Sequence, residues 1–260
     1  MTILEQIVKH KKAEVEAKKR IMPVNALERS NYLSVRGPSI TQALNSSQYG
    51  IIAEHKRRSP SRSLINGNSN PAEVVTGYEQ AGASAISVLT DTQFFGGSVD
   101  DLALCRDLVS LPLLRKDFIL DEYQIVESKA YGADVILLIA AIHTPNRLAE
   151  LAKFAKSVKL EVLLEIHNRE ELLASVNLPV DIIGVNNRNL KTFEVSINIS
   201  KELARDIPAH LTGISESGLN SPPAIKELRE YGFRGFLMGE HFMKQADPGY
   251  ALSNFIAQLK

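Results

Sequence analysis

The sequence lacks several features that would assign a protein to a class at once. It has one cysteine among 260 residues, so no disulfide can form within the chain, as is usual in a reducing compartment. Basic and acidic residues both number 30, so the formal net charge is zero and gives no general attraction to nucleic acid or anionic membranes. No apolar run reaches the roughly 18 residues of a membrane span.

Common targeting and catalytic signatures are also missing. The first 20 residues are too charged for a signal peptide, so we expect a cytoplasmic protein. The six histidines form no H-E-x-x-H motif and no Cys/His pair, so we expect no metal site. There is no G-x-S-x-G of the α/β-hydrolases and no Walker A loop. The lone Cys105 lies in an amphipathic stretch and is expected to be buried.

Short apolar runs recur along the chain, and most of them are nearly continuous. Continuous runs are typical of strands buried on both faces, as in parallel sheets, whereas strict alternation indicates an antiparallel sheet with one wet face. The eight predicted strands span residues 51–54, 85–90, 111–117, 134–140, 160–166, 181–187, 210–216 and 235–240.

Helical patterns separate these runs. They cover residues 70–82, 98–110, 121–132, 144–158, 168–177, 196–208 and 221–232. Strand and helix alternate about every 25 residues, which predicts an α/β chain with one (β/α)8 TIM barrel domain over residues 1–260. A doubly wound open sheet is the alternative, but no G-x-G-x-x-G follows the first strand.

The first 45 residues lie outside the eight units and predict an N-terminal helical extension. Ile3, Leu4, Ile7 and Val8 have the spacing of one helix face. We expect this helix to pack on the barrel; an arm that binds a partner is the alternative.

Polar residues follow most of the apolar runs directly. In a (β/α)8 barrel the carboxyl ends of the strands meet at one mouth, where the active site lies. Two lysines among carboxylates could supply acid–base chemistry there, although any one of them could be a solvated rim residue. The residues at the strand ends are Glu54, Lys56, Lys116, Asp117, Glu165, Asn186, Arg188, Glu216, Ser217, Gly218, Gly239 and Glu240.

Three further stretches allow more than one interpretation. The Gly-rich ends of strands 7 and 8 could bind phosphate through backbone N–H groups, or they could be ordinary turns. Phe94 and Phe95 could stack on an aromatic substrate or simply pack in their loop. The run HKRR at residues 55–58 could touch nucleic acid, but the net charge of zero makes this the weaker interpretation.

Seven segments in order resemble the indole-3-glycerol phosphate synthase family. They are IIAEHKRRSPS, SVLTDTQFFGGS, LLRKDFILDEYQI, LLEIHNREEL, IGVNNRNL, ISESG and FLMGE. The resemblance implies ring closure of 1-(2-carboxyphenylamino)-1-deoxyribulose 5-phosphate in tryptophan biosynthesis. Carbon dioxide and then water leave, giving indole-3-glycerol phosphate, and the reaction needs neither cofactor nor metal.

The resemblance also implies roles for individual residues. Lys116 matches the general acid at the carbonyl oxygen, and Glu165 the residue that assists proton transfer during dehydration. Lys56 matches a second catalytic lysine and Glu54 its acidic partner. Asn186 and Arg188 match residues that orient the substrate. The remaining matches are substrate-binding residues, namely Ser59, Phe95, Phe118, Leu190, Glu216, Ser217, Gly218, Leu237, Gly239 and Glu240.

The sequence departs from the family pattern in one loop, and alternative functions stay open. Arg62 and Ser63 stand where the family usually has a glycine, so the loop after strand 1 could be stiffer. Another phosphosugar barrel, such as phosphoribosylanthranilate isomerase, is the alternative enzyme, and a non-catalytic scaffold barrel is the alternative outside enzymes. As partners we expect a phosphorylated small molecule, no nucleic acid and no membrane. We expect a monomer or weak homo-oligomer, with no second domain fused.

Overall fold

A closed parallel barrel forms the centre of the protein. The computed structural model describes residues 1–190 and 192–260. In that part of the chain eight strands pair in chain order, and the eighth closes on the first. The (β/α)8 prediction is therefore confirmed. The strands are β1 (Gly50–His55), β2 (Ala85–Leu89), β3 (Leu113–Lys116), β4 (Val135–Ile139), β5 (Glu161–Ile166), β6 (Ile182–Asn186), β7 (Thr212–Glu216) and β8 (Gly235–Met238).

The helices surround the barrel or cover its ends. They are α1 (Ile3–Ile21), α2 (Val24–Leu27), α3 (Ile40–Ser46), α4 (Pro71–Ala81), α5 (Thr92–Phe95), α6 (Val99–Leu108), α7 (Glu122–Ala130), α8 (Pro145–Ser157), α9 (Arg169–Ser175), α10 (Asn198–Leu203), α11 (Pro222–Glu230), α12 (Glu240–Met243) and α13 (Pro248–Ala257). Short 3-10 turns cover Asn31–Leu33, Ala140–Ile142 and Ala204–Asp206. No predicted helical segment covers α5, α12 or α13.

Local signals explain where these helices begin and end. In α4 the Asn70 side chain accepts from the Ala72 N–H, Pro71 takes the first helical position, and Gly82 ends the helix with a φ of 92°. Capping boxes begin α1, α6 and α7. Each satisfies two N–H groups that have no acceptor within the helix.

Two apolar layers hold the barrel. The outer layer packs strands against helices and includes the buried Cys105, as predicted. The inner layer fills the barrel, and α3 seals its lower end with Ile40 and Leu44. Glu161, at the start of β5, fixes α3 by accepting a 2.7 Å hydrogen bond from the Ile40 N–H. Because this end is closed, the strand-end side chains meet solvent only at the opposite mouth.

The predicted N-terminal helix packs on the barrel. Val15 of α1 and Leu27 form an apolar cluster with Tyr123 and Val126 of α7. The amino-terminal end of α1 continues over the mouth of the barrel, where Ile7 lines the cavity described below. Within the described residues, no helix is long and apolar enough to cross a membrane.

Candidate active site

One cavity of about 220 Å³ opens at the carboxyl ends of the strands. Side chains from strands and from the loops after them line it. Every site residue predicted from the sequence lies on its wall, and the roles of these residues stay predictions. They are Glu54, Lys56, Ser59, Phe95, Lys116, Phe118, Glu165, Asn186, Arg188, Leu190, Glu216, Ser217, Gly218, Leu237, Gly239 and Glu240.

Lys116 lies between carboxylates at the base of this cavity. Its Nζ is 2.9 Å from Glu165 Oε2 and 3.2 Å from Glu216 Oε2. The three side chains come from β3, β5 and β7, and Glu54 of β1 adds a further carboxylate. Alternate strands of a barrel contribute one layer of inward side chains, which explains why residues so distant in sequence meet. The layer contains one cation and three carboxylates.

The charges of this layer set the protonation of its members. Burial acts to lower the pKa of Lys116, but Glu165 and Glu216 outweigh it and hold that pKa well above its usual range. For Glu165, burial acts to raise the pKa, yet Lys116 and His167 hold it well below the usual range. Burial raises the pKa of Glu216 to about 7, against the pull of Lys116. Lys116 is therefore an ammonium, Glu165 is a carboxylate, and Glu216 titrates near neutrality.

Lys56 and Glu54 form a second pair across the cavity. Lys56 Nζ donates to Glu54 Oε1 at 2.6 Å. The residues are two apart on one strand and its continuation, so their side chains point to the same face, as predicted. Gly239 of the loop after β8 lies against Glu54, because a Cβ at this position would be 2.7 Å from Glu54 Oε1. Only glycine lets this loop approach the pair so closely.

Each of the two lysines has its own carboxylate partners. Lys56 pairs with Glu54, and Lys116 pairs with Glu165 and Glu216. A proton on Lys116 is held by charge, so it leaves readily only to a stronger base such as a developing alkoxide.

Asn186 and Arg188 stand on the wall formed by β6 and its loop. The Arg188 N–H donates to Asn186 Oδ1 at 3.0 Å, which fixes the amide. Arg188 Nη1 donates to the Phe193 carbonyl at 3.3 Å. Both residues line the cavity, so an amide and a guanidinium are available to polar groups of a ligand.

The turns after β7 and β8 line the cavity with their backbone. Ser217 and Gly218 have φ angles of 68° and 73°, so two successive residues adopt the left-handed conformation. Gly218 also lies against Val195, where a Cβ would collide. The turn after β8 leads into α12, whose first N–H groups have no acceptor within the helix.

Arg62 connects the loop after β1 to the turn after β8. Ser59 and Arg62 close a tight turn by exchanging backbone hydrogen bonds of 2.8 and 3.0 Å. Arg62 Nε lies 3.2 Å from Glu240 Oε1. The residue that departs from the family pattern thus joins two loops of the mouth.

The two adjacent phenylalanines have different surroundings. The Phe95 ring lies 6.0 Å from the Phe118 ring, and both line the cavity. The Phe94 ring makes an edge contact with His10 of α1 at 5.8 Å. Phe95 and Phe118 therefore offer aromatic surface to a ligand, whereas Phe94 anchors α1.

Three members of the basic run at the end of β1 make structural contacts, whereas Lys56 lines the cavity. His55 is buried, and its Nε2 is 3.1 Å from Ser69 Oγ. Arg57 Nη2 donates to Asp101 Oδ1 at 3.0 Å, and Arg58 Nη2 donates to the Thr92 carbonyl at 2.8 Å. His55, Arg57 and Arg58 therefore hold the end of β1 and its loop against neighbouring loops.

Helix α1 contributes to the site in a way that the sequence analysis missed. Ile3, Leu4 and Ile7 line the cavity. Lys11 is buried at 1% exposure, with its Nζ 2.9 Å from Asp91 Oδ2 and 3.0 Å from Asp117 Oδ1. Helical spacing indicated an apolar face, but no signal in the sequence showed that this face covers the mouth.

Comparison with known proteins agrees with this geometry. The family model for indole-3-glycerol phosphate synthase matches residues 4–255. The chain belongs to the indole-3-glycerol phosphate synthase family. A family member from Bacteroides thetaiotaomicron is 46% identical over 99% of both chains. One from Thermoanaerobacter pseudethanolicus is 42% identical over 99% of this chain and 98% of its own length. The resemblance stated from seven segments is confirmed.

More distant solved structures share the barrel. A thiamine phosphate pyrophosphorylase from Pyrococcus furiosus has a TM-score of 0.62 at 14% identity, covering 85% of this chain and 98% of its own. An N-acetylmannosamine-6-phosphate 2-epimerase from Clostridium perfringens has a TM-score of 0.60 at 16% identity, covering 81% and 93%. At such identities the likeness shows the fold alone. Among the described residues, no cluster of three or more His, Cys, Asp or Glu side chains could hold a metal ion.

Proposed function

We propose that this protein closes the indole ring of 1-(2-carboxyphenylamino)-1-deoxyribulose 5-phosphate to give indole-3-glycerol phosphate, carbon dioxide and water. Family membership over residues 4–255 supports this function. The observation that carries the proposed mechanism is the position of the Lys116 ammonium, 2.9 Å from Glu165 and 3.2 Å from Glu216. A charged proton donor and a charged acceptor stand side by side within one cavity.

Ring closure is the step assigned to Lys116. The aromatic carbon that bears the carboxylate attacks the ketone carbon, and the carbonyl oxygen gains negative charge. The Lys116 ammonium stabilises that charge and gives its proton to the oxygen. The developing alkoxide is a stronger base than the carboxylates already around Lys116, so transfer occurs as the new bond forms.

Loss of carbon dioxide follows and restores the aromatic ring. Lys56 is the second ammonium of the site, held by its 2.6 Å hydrogen bond to Glu54. We assign it to the substrate carboxylate, whose charge it can pair with before the carbon–carbon bond breaks. Glu54 then faces the substrate amine. Asn186 and Arg188 orient the chain between amine and phosphate.

Dehydration is the step assigned to Glu165. Its carboxylate takes a proton from the carbon next to the hydroxyl-bearing carbon and returns it to the leaving hydroxyl. One C–H bond and one C–O bond break, a carbon–carbon double bond forms, and water leaves. Because the pKa of Glu165 lies below its usual range, the protonated form is a ready donor.

We assign the phosphate and the aromatic ring of the substrate to different parts of the cavity wall. The left-handed turn at Ser217 and Gly218 and the amino-terminal turn at Gly239 and Glu240 offer N–H groups to the phosphate. Phe95, Phe118, Leu190 and Leu237 line the cavity and supply apolar surface for the anthranilate ring. Phosphate binding at a distance helps to hold the reacting carbons together.

We also infer a cytoplasmic protein that is a monomer or weak homo-oligomer and binds no nucleic acid. The single, reduced and buried Cys105 and the net charge of zero support this. Sedimentation velocity across a range of protein concentrations tests the oligomeric state. A stable dimer at micromolar concentration would contradict it.

Turnover of the carboxyphenylamino substrate tests the proposed function. Purified protein should release a product with indole fluorescence and one carbon dioxide per turnover. The double variant Lys116→Ala/Glu165→Gln, purified in the same way, should release neither, which excludes a contaminating enzyme. Absence of product with the wild-type protein would refute the proposal.

A further inference from the structure

His167 lies directly behind Glu165 and has none of the roles proposed above in the reaction. It is the first residue after β5 and is two residues from Glu165, so both side chains point to the same face. Its side chain is 12% exposed. The imidazole is therefore placed to act on the carboxylate rather than on a ligand.

Each ring nitrogen of His167 faces a carboxylate. Nδ1 is 3.3 Å from Glu171 Oε2, within hydrogen-bonding distance. Nε2 is 3.4 Å from Glu165 Oε1, is buried, and makes no hydrogen bond to any residue that the structure describes. A buried nitrogen without a hydrogen bond is costly, so its contact with the Glu165 carboxylate is the one interaction that can compensate for its burial.

Glu171 is a fixed anion. Its carboxylate accepts from the His167 backbone N–H at 2.8 Å and from Asn168 Nδ2 at 3.0 Å. These bonds help to hold the pKa of Glu171 below its usual range, against the effect of burial. Because this acceptor is charged, Nδ1 of His167 carries a proton, and Nε2 is the nitrogen that can gain or lose one.

Charged groups from three elements lie around the His167 imidazole. Glu171 of α9 and Glu165 of β5 flank the imidazole, and Lys116 of β3 lies on the far side of Glu165. Burial acts to lower the pKa of His167, but the two carboxylates outweigh it and raise the pKa to about 9. At neutral pH, Glu165 therefore has a cation at each oxygen: Lys116 at Oε2 and an imidazolium at Oε1.

We propose that His167 is a positioning residue for Glu165. His167 holds Oε1 of this carboxylate, so that Oε2 meets Lys116 and the substrate, and it favours return of the proton to the leaving hydroxyl. This rests on the proposed role of Glu165 in dehydration. The imidazolium restrains rotation of the carboxylate and stabilises its anionic form. Proton return regenerates that form, so a nearby positive charge favours this direction of transfer.

Three variants test this proposal through the pH dependence of kcat. His167→Gln keeps a neutral amide donor near the place of Nε2. Glu171→Gln keeps an acceptor for Nδ1 but removes one of the two negative charges that stabilise the imidazolium. Glu170→Gln is the matched control, because Glu170 is an exposed neighbour on the same helix. Circular dichroism establishes that each variant is folded, and Glu171→Gln tests the proposal if His167→Gln is not.

The expected results differ between the variants. In the wild-type protein kcat should fall above pH about 9, as His167 loses its proton. Glu171→Gln should move this fall to lower pH by about one unit. His167→Gln should lower kcat about tenfold at pH 7 with KM changed less than twofold, and the fall near pH 9 should disappear. Glu170→Gln should match the wild type.

Two outcomes would overturn the proposal, and they are distinguishable from each other. Normal wild-type turnover, with the alkaline fall unmoved in Glu171→Gln and with kcat unchanged in a folded His167→Gln, would overturn the role of His167 alone. No turnover by the wild-type protein, or full turnover by Glu165→Gln, would overturn the proposed function or the role of Glu165, and the role of His167 with it.

Discussion

Lys116 Nζ and Glu165 Oε2 are 2.9 Å apart, although 49 residues separate them in the chain. They come from β3 and β5, which are not neighbours in the barrel. Inward side chains of alternate strands share a layer, so the barrel itself brings them together. A proton donor and a proton acceptor are thereby held in one layer whose floor is sealed by apolar side chains.

Lys11 should be essential for the attachment of α1. It is 1% exposed and pairs with Asp91 and Asp117. Lys11→Met leaves two buried carboxylates without this partner, so we expect a loss of about 3–5 kcal/mol in the free energy of unfolding. Urea denaturation measures it.

Lys12→Met is the control for this substitution. Lys12 is the exposed neighbour on the same helix, so its replacement should change the free energy of unfolding by less than about 0.5 kcal/mol. Equal stability of the two variants would show that the buried ion pairs do not hold α1.

Gly218 should be required for binding of the phosphorylated substrate. Gly218→Ala puts a side chain into a left-handed position with φ 73° and into contact with Val195. The turn must shift, so KM should rise about tenfold or more, since one lost charge-assisted hydrogen bond is worth about 1.5–3 kcal/mol. Steady-state kinetics measure KM and kcat.

Gly232→Ala is the control for Gly218→Ala. It separates the effect of backbone strain on stability from an effect on substrate binding. Gly232 has φ 101° and no atom within 4 Å of its added Cβ, and it lies away from the cavity. It should lose about 1–3 kcal/mol of stability through backbone strain and keep its KM. A KM for Gly218→Ala no higher than that of Gly232→Ala would exclude the turn from phosphate binding.

His55 should make the protein less stable in mild acid. Burial, with the charge of Arg57, lowers its pKa from 6.5 to about 4. The unfolded chain then takes up the proton first, so the stability due to neutral His55 is present above pH about 6.5 and is lost as the pH falls through about 4. The loss is on the order of 3 kcal/mol.

Replacing His55 by Gln should flatten this dependence, because Gln can keep a hydrogen bond to Ser69 without titrating. The measurement is the free energy of unfolding between pH 4 and 7. His210→Gln, at an exposed histidine, should leave the slope as in the wild type. A slope unchanged in His55→Gln would show that other groups cause the acid loss.

The sequence could predict the barrel and the members of the site, for separate physical reasons. Runs such as residues 134–140 are too short for a helix and too continuous for a half-exposed strand, so they predict strands buried on both faces. Once the strands were parallel, Glu54, Lys116 and Glu165 had to meet at one mouth. Their pairing could not be predicted, because it depends on the layer that each side chain occupies.

Contacts made by the N-terminal extension could not be predicted. The spacing of Ile3 and Ile7 indicates an apolar face but not the surface that it covers. In the sequence Lys11 resembles any other helical lysine. Only the fold shows that it forms ion pairs with Asp91 and Asp117. The proposed role of His167 could not be predicted either, because it depends on two carboxylates that flank the ring only in the folded structure.

Lys116 is the residue on which the proposed ring closure depends most directly, and the kinetics of Lys116→Ala test it. Without its proton donor, kcat should fall by about 10²–10⁴-fold, while KM should change less than about threefold because phosphate and ring contacts remain. Lys153→Ala, at an exposed lysine, should match the wild type. If Lys116→Ala keeps more than a tenth of wild-type kcat, or loses its activity only through a higher KM, Lys116 is not the general acid.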